Sequence, residues 1–228
     1  VNDAEFAAAL EGLGIVAAEG LVTSFDAFEE DLYAQNQVMN LTRVDRADCR
    51  VRHFLDSLLI APLIPQGADV LDLGTGPGFP AWPLAVARPD LRVTALDSSG
   101  KMLGFLRRHP LPNLEVVQER AEEWPVEERF DVVTGRALAP LAAQLEISVR
   151  PCRVGGRVIP LRTHADMEAA THLATAVIGL RRAKILRVPL PGSDAVRVLP
   201  IYEKVRRTPK GYPRPWARIK ADPIGSGG

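Results

Sequence analysis

Apolar positions recur at near-helical intervals through the first part of the chain. Phe6, Leu10, Leu13 and Ile15 make one such face, and Phe25, Phe28, Leu32 and Tyr33 make a second. Thr23 and Ser24 are the expected N-caps of the second helix. After a break at Asn40-Leu41-Thr42, Asp45 is expected to cap a third helix, whose apolar face is Val51, Phe54, Leu55, Leu58 and Leu59. Pro62 and Pro65 end it. From residue 69 the rhythm changes to short apolar runs at 69–73, 92–97, 114–117, 130–134 and 156–161. Helical stretches near 79–88 and 99–108 separate the first three, a pattern that predicts βαβ units and a parallel sheet covered on both faces. Two last strands, 182–190 and 195–205, are joined across Pro191-Gly192-Ser193, a connection so short that only antiparallel pairing fits. The Gly225–Gly228 tail reads as disordered.

The most informative turn lies between the first strand and its helix: Val70-Leu-Asp-Leu-Gly74-Thr-Gly76-Pro-Gly78-Phe79-Pro80. Glycines there let the backbone approach a ligand closely. A nicotinamide-binding loop would place its third glycine at position 79, where this chain has Phe. Its third glycine, Gly78, comes one residue early, a spacing that suits S-adenosylmethionine (SAM) better than a dinucleotide. Asp97, at the end of the second strand, lies 19 residues past Gly78. A carboxylate about 20 residues beyond such a loop accepts the ribose hydroxyls of a nucleoside cofactor; it could also cap the helix that begins at Ser98. Ala121 and Glu122, beyond the third strand, are the expected adenine contacts, with a merely solvated Glu122 as the plain alternative.

Composition narrows the class. The 228 residues carry 28 Lys+Arg and 28 Asp+Glu, and 46% are apolar, the balance of an ordinary globular protein. No apolar run approaches a bilayer span, and the acidic N-terminus does not read as a signal peptide. With Cys49 and Cys152 as the only cysteines, a cytoplasmic protein with reduced thiols and no metal site is expected. Val1 in place of Met points to a start that lies elsewhere. The zero net charge divides unevenly: residues 150–228 hold 16 Lys/Arg against 5 Asp/Glu, and residues 1–149 hold 12 against 23. From Lys204 to Lys220, seven basic residues occur without an acid, interleaved with Tyr212 and Trp216. Arg206, Arg207, Lys210, Tyr212, Arg214, Trp216 and Arg218 are therefore candidates for RNA contact, through phosphates and stacked bases.

The methyl acceptor is constrained by what is missing. The loop after the fourth strand, Thr134-Gly135-Arg136-Ala137, lacks the Asp/Asn-Pro-Pro-aromatic signature of amino-methylating DNA enzymes. Pro151-Cys152 imitates the nucleophile pair of pyrimidine-C5 enzymes but precedes the fifth strand, so a buried, inert thiol is the better reading. A ring nitrogen such as guanine N7 needs neither base nor nucleophile, only position and desolvation. Other acceptors stay open, including a small molecule or a protein, as does a non-catalytic ribosome-assembly factor that binds RNA.

Several blocks occur together and in order: Asn40-Leu41-Thr42, His53-Phe-Leu-Asp56-Ser57-Leu, Leu71-Asp-Leu-Gly-Thr-Gly-Pro-Gly-Phe-Pro80, Asp97-Ser-Ser-Gly-Lys101, Arg120-Ala121-Glu122, Arg136-Ala137 and Tyr212-Pro-Arg214. In these the chain, from about residue 25 to 220, resembles the RsmG family (glucose-inhibited division protein B), bacterial 16S rRNA guanine-N7 methyltransferases. The resemblance implies methylation of the guanine at position 527 of 16S rRNA, on free rRNA or the 30S particle. It also implies a monomer with a class I SAM-dependent methyltransferase fold: Rossmann-like, with a mostly parallel seven-stranded sheet and an antiparallel last strand. The expected organisation is an N-terminal helical extension at 1–65, a SAM-binding domain at 66–205 and a basic C-terminal segment at 206–228. By the same resemblance Gly74, Phe79, Ala121, Glu122 and Arg136 fall on cofactor-contacting positions, and His53, Asp56 and Ser57 on a motif expected to line the site as positioning residues, or equally to cap or satisfy a helix packed over the pocket. Arg136 is left between a cofactor or substrate carboxylate and the RNA. The chain departs from the family at Ala81-Trp82, Ser99, Gly135 and Leu161-Arg162.

Overall fold

The computed structural model describes residues 1–17 and 20–225. Seven strands form one sheet: β1 (Asp69–Leu73), β2 (Arg92–Asp97), β3 (Leu114–Gln118), β4 (Phe130–Arg136), β5 (Cys152–Thr163), β6 (Leu180–Pro189) and β7 (Val196–Lys204). Their order is β3-β2-β1-β4-β5-β7-β6, with the first five parallel and β7 antiparallel to both its neighbours. This is the α/β sheet that the alternation of strands and helices predicts. The order turns back at β1 and β4, and in open sheets of this kind ligands bind outside the carboxyl ends of the strands at such a switch.

The helices are α1 (Asp3–Gly12), α2 (Leu21–Met39), α3 (Asp56–Leu58), α4 (Ala81–Ala87), α5 (Gly100–Leu106), α6 (Leu141–Val149), α7 (Met167–His172) and α8 (Trp216–Ala221). A π-helical turn, Arg50–Leu55, leads directly into α3. The apolar faces read from sequence bury the N-terminal helices against the same sheet face as α4 and α5. Phe6, Phe25, Phe28 and Phe54 are fully buried, each contributing about 1.5–3 kcal/mol by leaving water. Phe28 stacks on Trp82 at 4.1 Å and meets Phe105 edge-on at 5.3 Å, so α2 grips both helices that flank the glycine loop's side of the sheet. Helix α6 and the C-terminal segment cover the other face.

Three local expectations are corrected. Helix α2 starts at Leu21 behind Gly20, whose φ of 85° suits glycine; Thr23 and Ser24 lie inside it, and Ser24 Oγ donates back to the Gly20 carbonyl at 2.9 Å. Asp45 precedes only a 3₁₀ turn, Arg46–Asp48, and makes no side-chain cap. Strand β5 begins at Cys152 rather than 156, because a bulge at Gly155 (φ 81°) absorbs the Gly-Gly pair between the registers Phe130–Cys152 and Val132–Arg157. Among the described residues no helix is long and apolar enough to cross a membrane. Of the tail read as disordered, Gly225 sits in a turn and residues 226–228 lie outside the described residues.

Candidate active site

The glycine loop leaves β1 with Gly74, Gly76 and Gly78 all at positive φ (69°, 57° and 120°). A Cβ on Gly74 would collide with the Leu138 side chain, and one on Gly78 would come within 2.7 Å of Leu106 Cδ1. Only glycine fits the first and third positions without a shift. Asp97 ties this loop to β2: its Oδ2 accepts from Gly76 N at 2.9 Å and its Oδ1 from Ser99 N at 2.8 Å. The N-cap of α5 is Ser99, so Asp97 braces the helix entrance without being the cap. Beneath the loop Asp72 is fully buried and accepts from Ala81 N at 3.0 Å; burial pushes its carboxyl up to about 7.

A cavity of about 220 Å³ opens beside this loop, lined by Gly74, Asp97, Ser98, Ala121, Glu122, Leu138, Ile147 and Trp216 among others. Asp97, Ala121 and Glu122 thus converge on one cleft. Gly76 and Gly78 are not among the residues that line it.

A second cavity, about 410 Å³, lies at the ends of β4 and β5. Its lining includes Arg52, His53, Asp56, Arg136, Arg162, Asp166 and Arg197. Leu138 lines the first cavity, while Ala137 and Ala139 line the second, so the turn after β4 separates the two. Ala137 holds a φ of 53° there, a left-handed conformation costing a non-glycine residue about 1–2 kcal/mol.

The second cavity is built on a chain of polar contacts. Asp56, 4% exposed, receives Arg197 Nε and Nη2 at 2.7 and 3.1 Å and Arg136 Nη1 at 3.4 Å. Arg136 also donates to the Arg52 carbonyl at 2.6 Å and to His53 Nδ1 at 3.0 Å. A guanidinium can only donate, so His53 carries its proton on Nε2 and gives it to Thr42 Oγ1 at 2.7 Å. Thr42 is fixed in turn by Asn36, which exchanges two hydrogen bonds with its backbone at 2.8 and 3.0 Å. Burial above all, then the charges of Arg136 and Arg52, push the His53 pKa down to about 3, so the ring is neutral. It stacks flat on Phe79 at 4.2 Å, and Arg136 lies 5.3 Å over that same ring.

This geometry redistributes several residues. Arg136 and Phe79, expected at the cofactor, stand in and under the second cavity, where Phe79 is 3% exposed beneath His53. Ser57 does not line a cavity: it is fully buried and donates to the His53 carbonyl at 2.5 Å, inside its own helix. The C-terminal segment is a folded part of the protein. Arg214 donates its backbone N and Nε to Glu146 Oε1, both at 2.9 Å, and Nη2 to Oε2 at 2.7 Å, and Glu146 is 0% exposed. Tyr212 and Trp216 pack against the α6-side core. Each of these three is held by the fold with part of its side chain still exposed. Arg206, Arg207, Lys210 and Arg218 remain exposed. Arg207 and Lys210 border a cavity shared with Glu127, Glu128 and Arg150, at the opposite end of β4 and β5 from the two cavities above. Cys152 is fully buried, its thiol pushed up to about 12 mainly by burial, which fits an inert role.

Arg52 and Arg197 line the second cavity without being singled out in the sequence, whereas the sequence marks Arg162 only as a departure from the family and Thr42 only within a motif block. Arg197 reaches Asp56 across 141 residues because β7 pairs with β5 in the register Arg197–Thr163. Thr42 stood in the break between helices and in a motif block, with no role attached; its tie to His53 required the fold.

The sheet order, the glycine cradle and the carboxylate ending β2 define the fold of SAM-dependent methyltransferases. The structure is similar to a SAM-dependent methyltransferase from Aquifex aeolicus, with a TM-score of 0.55 at 17% identity over 69% of this chain and 93% of that one. It is likewise similar to M. jannaschii TYW2, solved in complex with AdoMet, with a TM-score of 0.55 at 12% identity over 72% of this chain and 78% of that one. Within that fold the family model described as GidB, rRNA small subunit methyltransferase G, matches residues 22–189, and the chain belongs to this family. Relatives named Ribosomal RNA small subunit methyltransferase G include one from Limosilactobacillus reuteri, 32% identical over 94% of this chain and 95% of its own. Another, from Lacticaseibacillus paracasei, is 33% identical over 99% of both.

Proposed function

We propose that the protein transfers a methyl group from SAM to N7 of a guanine in 16S rRNA, the one at position 527, on the free rRNA or the 30S particle. The first cavity suits the cofactor: a glycine cradle with no room for a Cβ at Gly74, the Asp97 carboxylate for the ribose, and Ala121 and Glu122 toward the base. When bound, SAM supplies an electrophilic methyl on a sulfonium. The acceptor then enters the second cavity, across the Ala137–Ala139 turn.

The observation that carries the reading is the state of the bases in that second cavity. Asp56 is taken by Arg136 and Arg197, Asp166 accepts from Arg162 at 2.7 Å, and His53 is engaged at both nitrogens. A site whose bases are all occupied suits an acceptor with a free lone pair and no proton to lose, as guanine N7 is. Four guanidinium groups against two carboxylates leave a formal balance of +2 on the lining, which favours a nucleotide's phosphates. Arg52, with over half its side chain exposed, is the outermost of them. The neutral His53 orients Arg136 without adding charge where the purine becomes cationic. The basic residues near 206–210 can touch only flanking RNA, because they border the opposite end of the sheet.

The test is transfer of labelled methyl to unmodified 16S rRNA, both free and in 30S particles. Label recovered as N7-methylguanine at one 16S position is expected. Label at another atom, or on a small molecule or protein only, refutes the assignment.

A further inference from the structure

The second aromatic residue of the C-terminal basic segment, Trp216, has a place that its charged neighbours do not explain. Trp216 opens α8 and lines the cofactor cavity alongside Leu138 and Ile147, facing the same space as Asp97 and Glu122. The backbone is pinned on both sides of it. Two residues earlier Arg214 makes its bonds to the buried Glu146; three residues later Ile219 is fully buried, and Ile224 is 5% exposed. Arg214 Nη2 also donates to the Asp222 carbonyl at 2.8 Å, closing the segment around α8. The indole is therefore delivered to the cavity wall by a built anchor.

We propose that Trp216 is a cofactor-binding residue that packs against the adenine of SAM. This deepens the cofactor reading above and rests on it. The cavity supplies what a nucleoside requires: a carboxylate for the sugar hydroxyls, and an apolar and aromatic wall for a flat base. Nothing in that chemistry calls for RNA at this position. The basic segment then serves the cofactor through Trp216, while its exposed cations face solvent.

The experiment titrates S-adenosylhomocysteine into the full-length protein by calorimetry and by tryptophan emission. Trp216→Ala should weaken binding about tenfold or more, the usual loss when an aromatic platform under a base is removed. Trp216→Phe should stay within about threefold of the parent, since a smaller ring still stacks. The parent's emission should change on saturation, and Trp216→Phe, which keeps Trp82 and Trp124, should lose that change. A role confined to packing would lower the urea midpoint of Trp216→Ala and leave the ligand-induced emission change of the parent absent. Two results overturn the proposal: calorimetric binding by the parent with no emission change assignable to Trp216, or unaltered affinity in Trp216→Ala with weakened RNA binding. If the parent binds neither S-adenosylhomocysteine nor SAM, the cofactor reading itself falls, and this inference with it.

Discussion

His53 offers the sharpest test of the acceptor site, because its neutrality depends on the surroundings described. In the unfolded chain its pKa is near 6.5; in the folded protein burial and the neighbouring Arg136 and Arg52 hold it at about 3. A lowered histidine pKa means that below pH 6.5 the unfolded chain binds a proton that the folded chain refuses. The neutral ring thus favours folding fully above pH 6.5, and stability is lost as pH falls from there toward 3. One proton changes stability by about 1.4 kcal/mol per pH unit in that window, which integrates to about 2 kcal/mol between pH 7 and pH 5. The assay is urea unfolding of the parent and His53→Gln at both pH values, read as a double difference so that the carboxylates common to both proteins cancel. Glutamine keeps a donor for Thr42 and an acceptor for Arg136 but does not titrate. The parent should lose about 2 kcal/mol more than the variant on acidification. A double difference below about 0.5 kcal/mol would show that His53 charges freely in the folded state, and the argument from an occupied histidine would collapse.

Three further outcomes follow from other residues. Asp97→Asn should weaken SAM binding about tenfold or more by calorimetry, since hydrogen bonds to a charged group are worth about 1.5–3 kcal/mol; equal affinity would remove Asp97 from the site. Gly135→Ser should destabilise the fold by about 1–3 kcal/mol in urea, because the new Cβ would lie 2.7 Å from the Leu73 carbonyl oxygen and 2.9 Å from Gln144 Nε2; an unchanged midpoint would contradict it. Arg214→Ala should cost about 3–5 kcal/mol by stranding the buried Glu146 carboxylate, whereas Arg207→Ala, whose side chain is 89% exposed, should stay within about 0.5 kcal/mol. Equal effects in the two variants would mean that the C-terminal segment is not anchored as described.

Much of this architecture is legible in the sequence because it is local. The runs from 69 to 161 announce parallel strands, and the glycines and Asp97 sit at fixed offsets from strand ends. What the sequence conceals depends on register and on pairing at long range. Arg214 and Trp216 read as a basic, aromatic tail because nothing near them in the chain reports that Glu146 is buried and awaiting a partner. Arg197 is one of many arginines in the last third until β7 is seen to pair with β5. Ser57 shares its motif with His53 and Asp56, yet its hydroxyl is consumed inside the helix; spacing alone cannot tell an outward residue from an inward one on so short a turn. The antiparallel last strand is foreseen from a short connection, but its insertion between β5 and β6 is not.

That insertion has a consequence for how the protein is made. Ribosomes build chains from the N-terminus at about 5–20 residues per second, so Asp56 is in place roughly seven to thirty seconds before Arg197, 141 residues on, can reach it. During that interval the carboxylate lacks its closest partner, and β7, added last, has yet to slot between two strands already synthesised. The cofactor cleft draws most of its lining from residues 74–147, whereas the acceptor cavity requires chain from Val44 to Arg197. Both cavities therefore wait for the end of synthesis: the second is completed by Arg197, and the first, though mostly drawn earlier, by Trp216, 19 residues later.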